Sequence, residues 1–154
     1  MARALAGLAA AAALAAMSLA GCGEAGVGAD AKLSVYVSAP LCAEAREALA
    51  GARSRAGDDR LRAVCVDDAR GSGATRLAAI GAAARRATED SATIAYIGAA
   101  DPVAVRFSEP ILEEADVPRI SSPSGRSGAE RLLRALRRAG DSGSLRETLA
   151  EELR

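Results

Sequence analysis

Short runs of β-branched and aromatic residues alternate along this chain with stretches rich in Ala, Arg, Glu and Leu. Leu33-Ser34-Val35-Tyr36-Val37-Ser38 reads as a strand, and Ala39-Pro40 breaks it. Residues 42–56 are strong helix formers. Leu61-Arg62-Ala63-Val64-Cys65-Val66 reads as a second strand, ending at Asp67-Asp68, and Arg70-Gly71-Ser72-Gly73 as a loop. Residues 74–89 place Leu77, Ile80, Ala84 and Ala87 on one helical stripe. Thr93-Ile94-Ala95-Tyr96-Ile97 predicts a third strand, with Gly98 as its stop. Asp101 then stands where a helix cap belongs, and Pro102 suits the first helical position. Ala104, Phe107, Ile111 and Ala115 give that helix an apolar face, and Pro110 predicts a kink or break within it. Val117-Pro118-Arg119-Ile120-Ser121 predicts a short fourth strand, and Ser122-Pro123-Ser124-Gly125 a loop. Two helices follow. Residues 127–139 carry Leu132, Leu133 and Leu136. Residues 145–154 carry Leu145, Leu149 and Leu153, with Ser144 and Glu147 at capping-box spacing.

Strands that alternate with helices through short loops imply right-handed βαβ units and a parallel sheet. The expected fold class is α/β: a three-layer, doubly wound, Rossmann-like lobe over residues 33–154. It has a four-stranded, mainly parallel sheet and two C-terminal helices. Ligands in such sheets sit beyond the carboxyl ends of the strands. The informative loops are therefore 38–42, 67–73, 98–102 and 121–126.

The N-terminal region has a different character. Arg3 precedes an apolar stretch of Ala, Leu, Met and Gly, and small residues lead into Leu19-Ala20-Gly21-Cys22. A charged start, a short apolar run and a small-residue cleavage site make a secretory signal peptide over residues 1–21. The cysteine at the cleavage point resembles the lipobox of bacterial lipoproteins. That resemblance implies cleavage before Cys22, a lipid on its sulfur, and a protein exported and anchored at the outer face of the cell membrane. The alternatives are an ordinary signal peptide or an Ala-rich helix with a chance cysteine. The run is too short and too weakly apolar for a stable membrane span. Residues 22–32 read as a flexible tether.

Composition narrows the chemistry. Twenty basic residues balance 20 acidic ones, so nothing points to nucleic acid or a polybasic membrane patch. The absence of His removes the commonest general base and metal ligand. A Ser-His-Asp triad, a Cys-His dyad and a His-based zinc site are excluded. No dinucleotide fingerprint or phosphate-binding P-loop sequence occurs. The expectation is a non-enzymatic protein with no cofactor and no metal. Export permits disulfides. Cys42 and Cys65 could come within the ~4.4–6.8 Å Cα separation of a bridge if the first two strands are neighbours; the alternative is two small buried thiols. Asp67-Asp68 could hold a cation or accept a phosphoryl group, or simply cap the next turn or face solvent. Asp101 is either a ligand contact or simply a cap. Ser121, Ser122 and Ser124 offer hydroxyls and N–H groups at a helix start, a natural place for a polar or anionic group, or form an ordinary serine-rich loop.

From Asp67 to Ser124 the order of residues resembles a known family. A strand ends in Asp67-Asp68, and an Ala-rich helix leads through Glu89-Asp90 to Ile94-Ala95-Tyr96-Ile97-Gly98. A helix containing Pro110-Ile111-Leu112-Glu113-Glu114-Ala115 then leads to Val117-Pro118-Arg119-Ile120-Ser121. This spread-out pattern resembles the first lobe of type I periplasmic binding proteins, the leucine/isoleucine/valine-binding receptors of ABC importers, over roughly residues 33–124. The resemblance implies a small polar solute, such as an amino acid, held by the loops after the third and fourth strands. Those loops carry Ala99, Ala100 and Asp101, and Ser121, Ser122 and Ser124. It also implies an importer permease as partner. The first loop departs from the family, which usually places a serine after the glycine turn; Asp101 would repel a carboxylate if it pointed inward. The length implies one lobe where a receptor has two, as in a gene that lost its second lobe. Two copies pairing as a homodimer could rebuild a cleft. The alternative function is an envelope-surface interaction or structural lipoprotein that has lost solute binding.

Overall fold

The computed structural model describes residues 32–56, 60–139 and 145–153. The expected signal peptide, Cys22 and most of the expected tether fall outside the described residues, as does Ser144. Four strands, β1 (Leu33–Ser38), β2 (Leu61–Val66), β3 (Thr93–Ala99) and β4 (Arg119–Ser122), form one sheet in the order β2-β1-β3-β4. All three pairings are parallel, as the alternation of strands and helices requires. Among the described residues, five helices connect and flank them: α1 (Cys42–Ala56), α2 (Gly73–Glu89), α3 (Pro102–Glu113), α4 (Gly125–Ala139) and α5 (Leu145–Leu153). A 3-10 turn, Ala39–Leu41, leads into α1.

The central strands β1 and β3 are buried on both faces because helices cover both. Leu33, Val35 and Val37 of β1 point into a core shared with Ala45 and Leu49 of α1, Ala129 and Leu132 of α4, and Leu149 of α5. Their neighbours alternate to the other face, where Tyr36 and Tyr96 pack with Ala83, Ala84 and Ala87 of α2 and Leu112 of α3. The period of two along each strand thus divides one apolar run between two cores.

Several boundaries differ from expectation. Gly98 lies inside β3, which continues to Ala99. The fourth strand starts at Arg119 and includes Ser122. Helix α4 begins at Gly125, earlier than residue 127, because Ser124 accepts from the Ser127 N–H at 3.2 Å and supplies a cap. Helix α3 runs through Pro110 and ends at Glu113. The N–H that proline lacks would lie on the exposed side of the helix, where water can satisfy the orphaned carbonyl. The buried stripe of α3 is Ala104, Ser108 and Leu112, while Phe107 remains 43% exposed. Phe107 belongs to the outer face, contrary to its place in the expected apolar stripe.

At the amino-terminal end of the sheet, Asp90 fixes the turn into β3. Its carboxylate accepts from Ala92 N at 2.9 Å and Tyr36 OH at 3.3 Å, and pairs with Arg62 at 3.4 Å. Burial raises the Asp90 carboxyl pKa, but these hydrogen bonds and the Arg62 charge outweigh it, leaving the group below its ordinary value. A folded pKa below the unfolded one contributes stability above the ordinary carboxylate range. That contribution disappears as pH falls through the folded pKa. Asp90→Asn is therefore expected to lower stability at neutral pH and to flatten the acid limb of a urea-midpoint-against-pH profile. An unchanged acid limb would contradict this assignment.

Candidate functional site

The parallel sheet gathers four strand ends on one edge: Ser38, the Asp67-Asp68 pair after β2, Ala99-Ala100-Asp101 after β3, and Ser121 through Ser124 at the end of β4. These are the loops in which the expected ligand residues lie.

Asp68 is buried, and both its oxygens are occupied. One accepts from Ser38 Oγ at 2.6 Å and the other from Tyr96 OH at 2.9 Å. Ser38 and Tyr96 come from β1 and β3, so one carboxylate ties β2's exit to two strands. Burial, then the Asp68 charge and its hydrogen bond, push the Tyr96 phenol well above its usual value and keep it a neutral donor. An aspartate so enclosed does not present itself as a phosphoryl acceptor or cation ligand. Among the described residues, no cluster of three or more potential metal ligands occurs.

Arg119 lies beside this group. Its side chain crosses β3 over Gly98, where an added Cβ would come within 2.6 Å of the guanidinium. Gly98 therefore serves as a groove for the arginine and does not stop the strand. The guanidinium donates to Ser108 Oγ at 2.9 Å, to the Ala99 carbonyl at 2.9 Å, and to Ser121 Oγ. Burial lowers the Arg119 pKa, while Tyr96, Glu109 and Asp68 oppose that shift. A guanidinium stays protonated in such a setting, so this edge carries a fixed, partly buried positive charge.

The expected ligand residues divide into two groups. Asp101 acts as the cap: its side chain accepts from Val103 N at 2.9 Å, and its other oxygen pairs with Arg76 of α2. Ala99 contributes its carbonyl to Arg119, and the Ala100 N–H donates to the Ser122 carbonyl at 3.2 Å. Ser122 is buried and bonds to the Ser124 carbonyl at 2.8 Å and to Ser127 Oγ at 2.6 Å. Ser124 Oγ donates to Ser127 Oγ at 3.0 Å while capping α4. Ser121 stands apart, exposed and joined to Arg119. The structure thus uses Asp101, Ser122 and Ser124 internally and leaves Arg119 with Ser121 as the chemically available pair. Sequence reasoning placed Arg119 in a strand but missed its role. The usable signal was a charged residue within a β-rich run, immediately before Ile120 and two residues before Ser121.

On the opposite side of the sheet, Cys42 and Cys65 are joined by a disulfide with a Cα separation of 5.6 Å. The register sets Cys65 beside Val37 of β1, next to the turn that leads into α1. Among the described residues, no helix is long and apolar enough to cross a membrane. No family model, no curated protein and no solved structure matches this chain.

Proposed function

We propose that this chain is a lipid-anchored, extracytoplasmic lobe of the solute-receptor kind, related to the substrate-binding components of amino-acid importers, and not an enzyme. The reading is supported by the Arg119–Ser121 pair at the carboxyl edge of a parallel sheet. Among the described residues, three of the five guanidinium N–H groups have partners. The remaining donors, with the Ser121 hydroxyl, suit a carboxylate on a small polar solute. Asp101 no longer opposes that role, because Arg76 neutralises it. An open edge buries little of a solute, so binding by one lobe is weak unless a second lobe, such as another copy, covers it.

A second reading is favoured by one observation. Asp101, Ser122 and Ser124 are all committed to internal bonds, as in an envelope lipoprotein that keeps the fold for protein contacts alone. Thermal unfolding of the purified chain against amino acids, amides and sugars separates the two. A solute at 100 times its dissociation constant adds ~2.7 kcal/mol. The receptor reading expects a rise in Tm with a carboxylate-bearing solute that Arg119→Gln abolishes. A flat response to every solute supports the interaction reading. Loss of membrane association in Cys22→Ser tests the anchor independently.

A further inference from the structure

The cysteine pair carries chemistry that neither reading uses. Cys65 lies on β2, an edge strand of the sheet, and is exposed, whereas Cys42 is 5% exposed at the first residue of α1. The two sulfurs therefore differ in access from solvent. Arg46, one helical turn beyond Cys42, directs its guanidinium to Cys65 Sγ at 2.9 Å in an exposed contact. A cation beside an accessible disulfide sulfur draws in an attacking thiolate and stabilises the charge that builds as the bond exchanges. Beneath it, Cys42 occupies the positive end of a helix, which favours its departure as a thiolate.

We propose that Cys42–Cys65 is an exchangeable disulfide in the folded protein, and that Cys65 is a site of reversible S-thiolation by low-molecular-weight thiols. In the first step the attacking thiolate forms a bond to Cys65 Sγ. The Cys42–Cys65 bond breaks, and its electron pair leaves on Cys42 Sγ, which then takes a proton from water. Return attack by Cys42 on Cys65 Sγ expels the small thiolate and restores the bridge. Alternatively, a second small thiolate attacks the adduct at its own sulfur. It leaves both protein thiols reduced and two small thiols oxidised to one disulfide, a balanced two-electron exchange. The fold survives the first step because β2 stays paired with β1 along its length and packed on α1. This inference does not depend on solute binding.

The test uses the full chain with Cys22→Ser, so that no third thiol competes, incubated with reduced glutathione. Intact mass and peptide mapping follow the adduct while circular dichroism follows the fold. The expected result is one glutathione on Cys65, formed well above the rate of global unfolding, with the folded spectrum retained. Arg46→Gln should slow adduct formation about threefold or more at low ionic strength, Arg46→Lys should restore much of the rate, and salt should shrink the difference. The proposal is overturned if the adduct appears only at the rate of global unfolding, if it maps to Cys42, or if Arg46→Gln reacts as fast as the parent.

Discussion

Gly125→Ala is expected to lose about 3–5 kcal/mol, enough to unfold a large share of the molecules. At this position an added Cβ would sit 1.9 Å from the Leu41 carbonyl oxygen and 2.7 Å from Ala45 N. Both are backbone atoms of the turn and helix that open α1, and neither can rotate away. Relief requires α4 to move off α1, and the two helices are further joined by Arg126 and Glu47 at 3.2 Å. Moving α4 would also disturb Gly128, where an added Cβ would meet Ile97 at 2.5 Å. Gly81→Ala is the matched control. There the nearest atoms belong to the flexible Arg85 guanidinium, at 3.5 Å. Replacing a glycine within α2 should raise stability by ~0.5–1 kcal/mol. Urea midpoints for the three proteins decide the matter. A Gly125→Ala chain within 1 kcal/mol (about 5-fold in the equilibrium constant) of the parent would refute the close helix contact.

Asp68→Ala should be nearly as damaging, at about 3 kcal/mol. The substitution strands the buried hydroxyls of Ser38 and Tyr96 and removes the negative charge that Arg119 faces. Asp68→Asn keeps a carbonyl acceptor and an amide that a reoriented hydroxyl can accept, so its loss should be smaller. A double-mutant cycle with Tyr96→Phe measures the shared hydrogen bond directly, with an expected coupling of about 1–2 kcal/mol. Additivity of the two changes would show that the bond contributes nothing. The network also bears on function: if Asp68 holds the strand end that supports Arg119, Asp68→Asn should weaken any solute response in parallel with Arg119→Gln.

The order and type of the elements were legible because they rest on short-range signals. Strand-like runs at Leu33–Ser38 and Leu61–Val66 became β1 and β2 with those limits. The Asp101-Pro102 start signal became a capped helix with the cap bond in place. The reading faltered where a residue's meaning depends on another far along the chain. Gly98 read as a strand stop because a glycine is a local breaker. In the fold it is the floor beneath Arg119, 21 positions away in sequence. Phe107 read as core by its size and spacing, yet Ser108 takes the inward position because its hydroxyl meets Arg119 and the Ala104 carbonyl.

The candidate site was legible as a set of loops and not as a set of partners. A parallel sheet dictates which ends come together, so Ala99 through Asp101 and Ser121 through Ser124 were found by position. Which of their polar atoms remain available depends on hydrogen bonds closed across the fold. Asp101 is taken by Arg76 and Val103, and Ser122 by Ser124 and Ser127.

The sequence by itself determined, for the described residues, an α/β order of four strands and five helices, the sheet edge where their loops meet, and the absence of histidine chemistry. Those follow from periodicity, propensity and composition, which act over a few residues. Tertiary structure decided that Cys42 meets Cys65, that Arg119 crosses Gly98 to reach the Ala99 carbonyl, and that Asp68 is enclosed by Ser38 and Tyr96. Each is a contact between residues about 20–30 positions apart, formed by strand order and register. No local pattern carries that information, because the same runs of residues could be paired in another order without changing their own character.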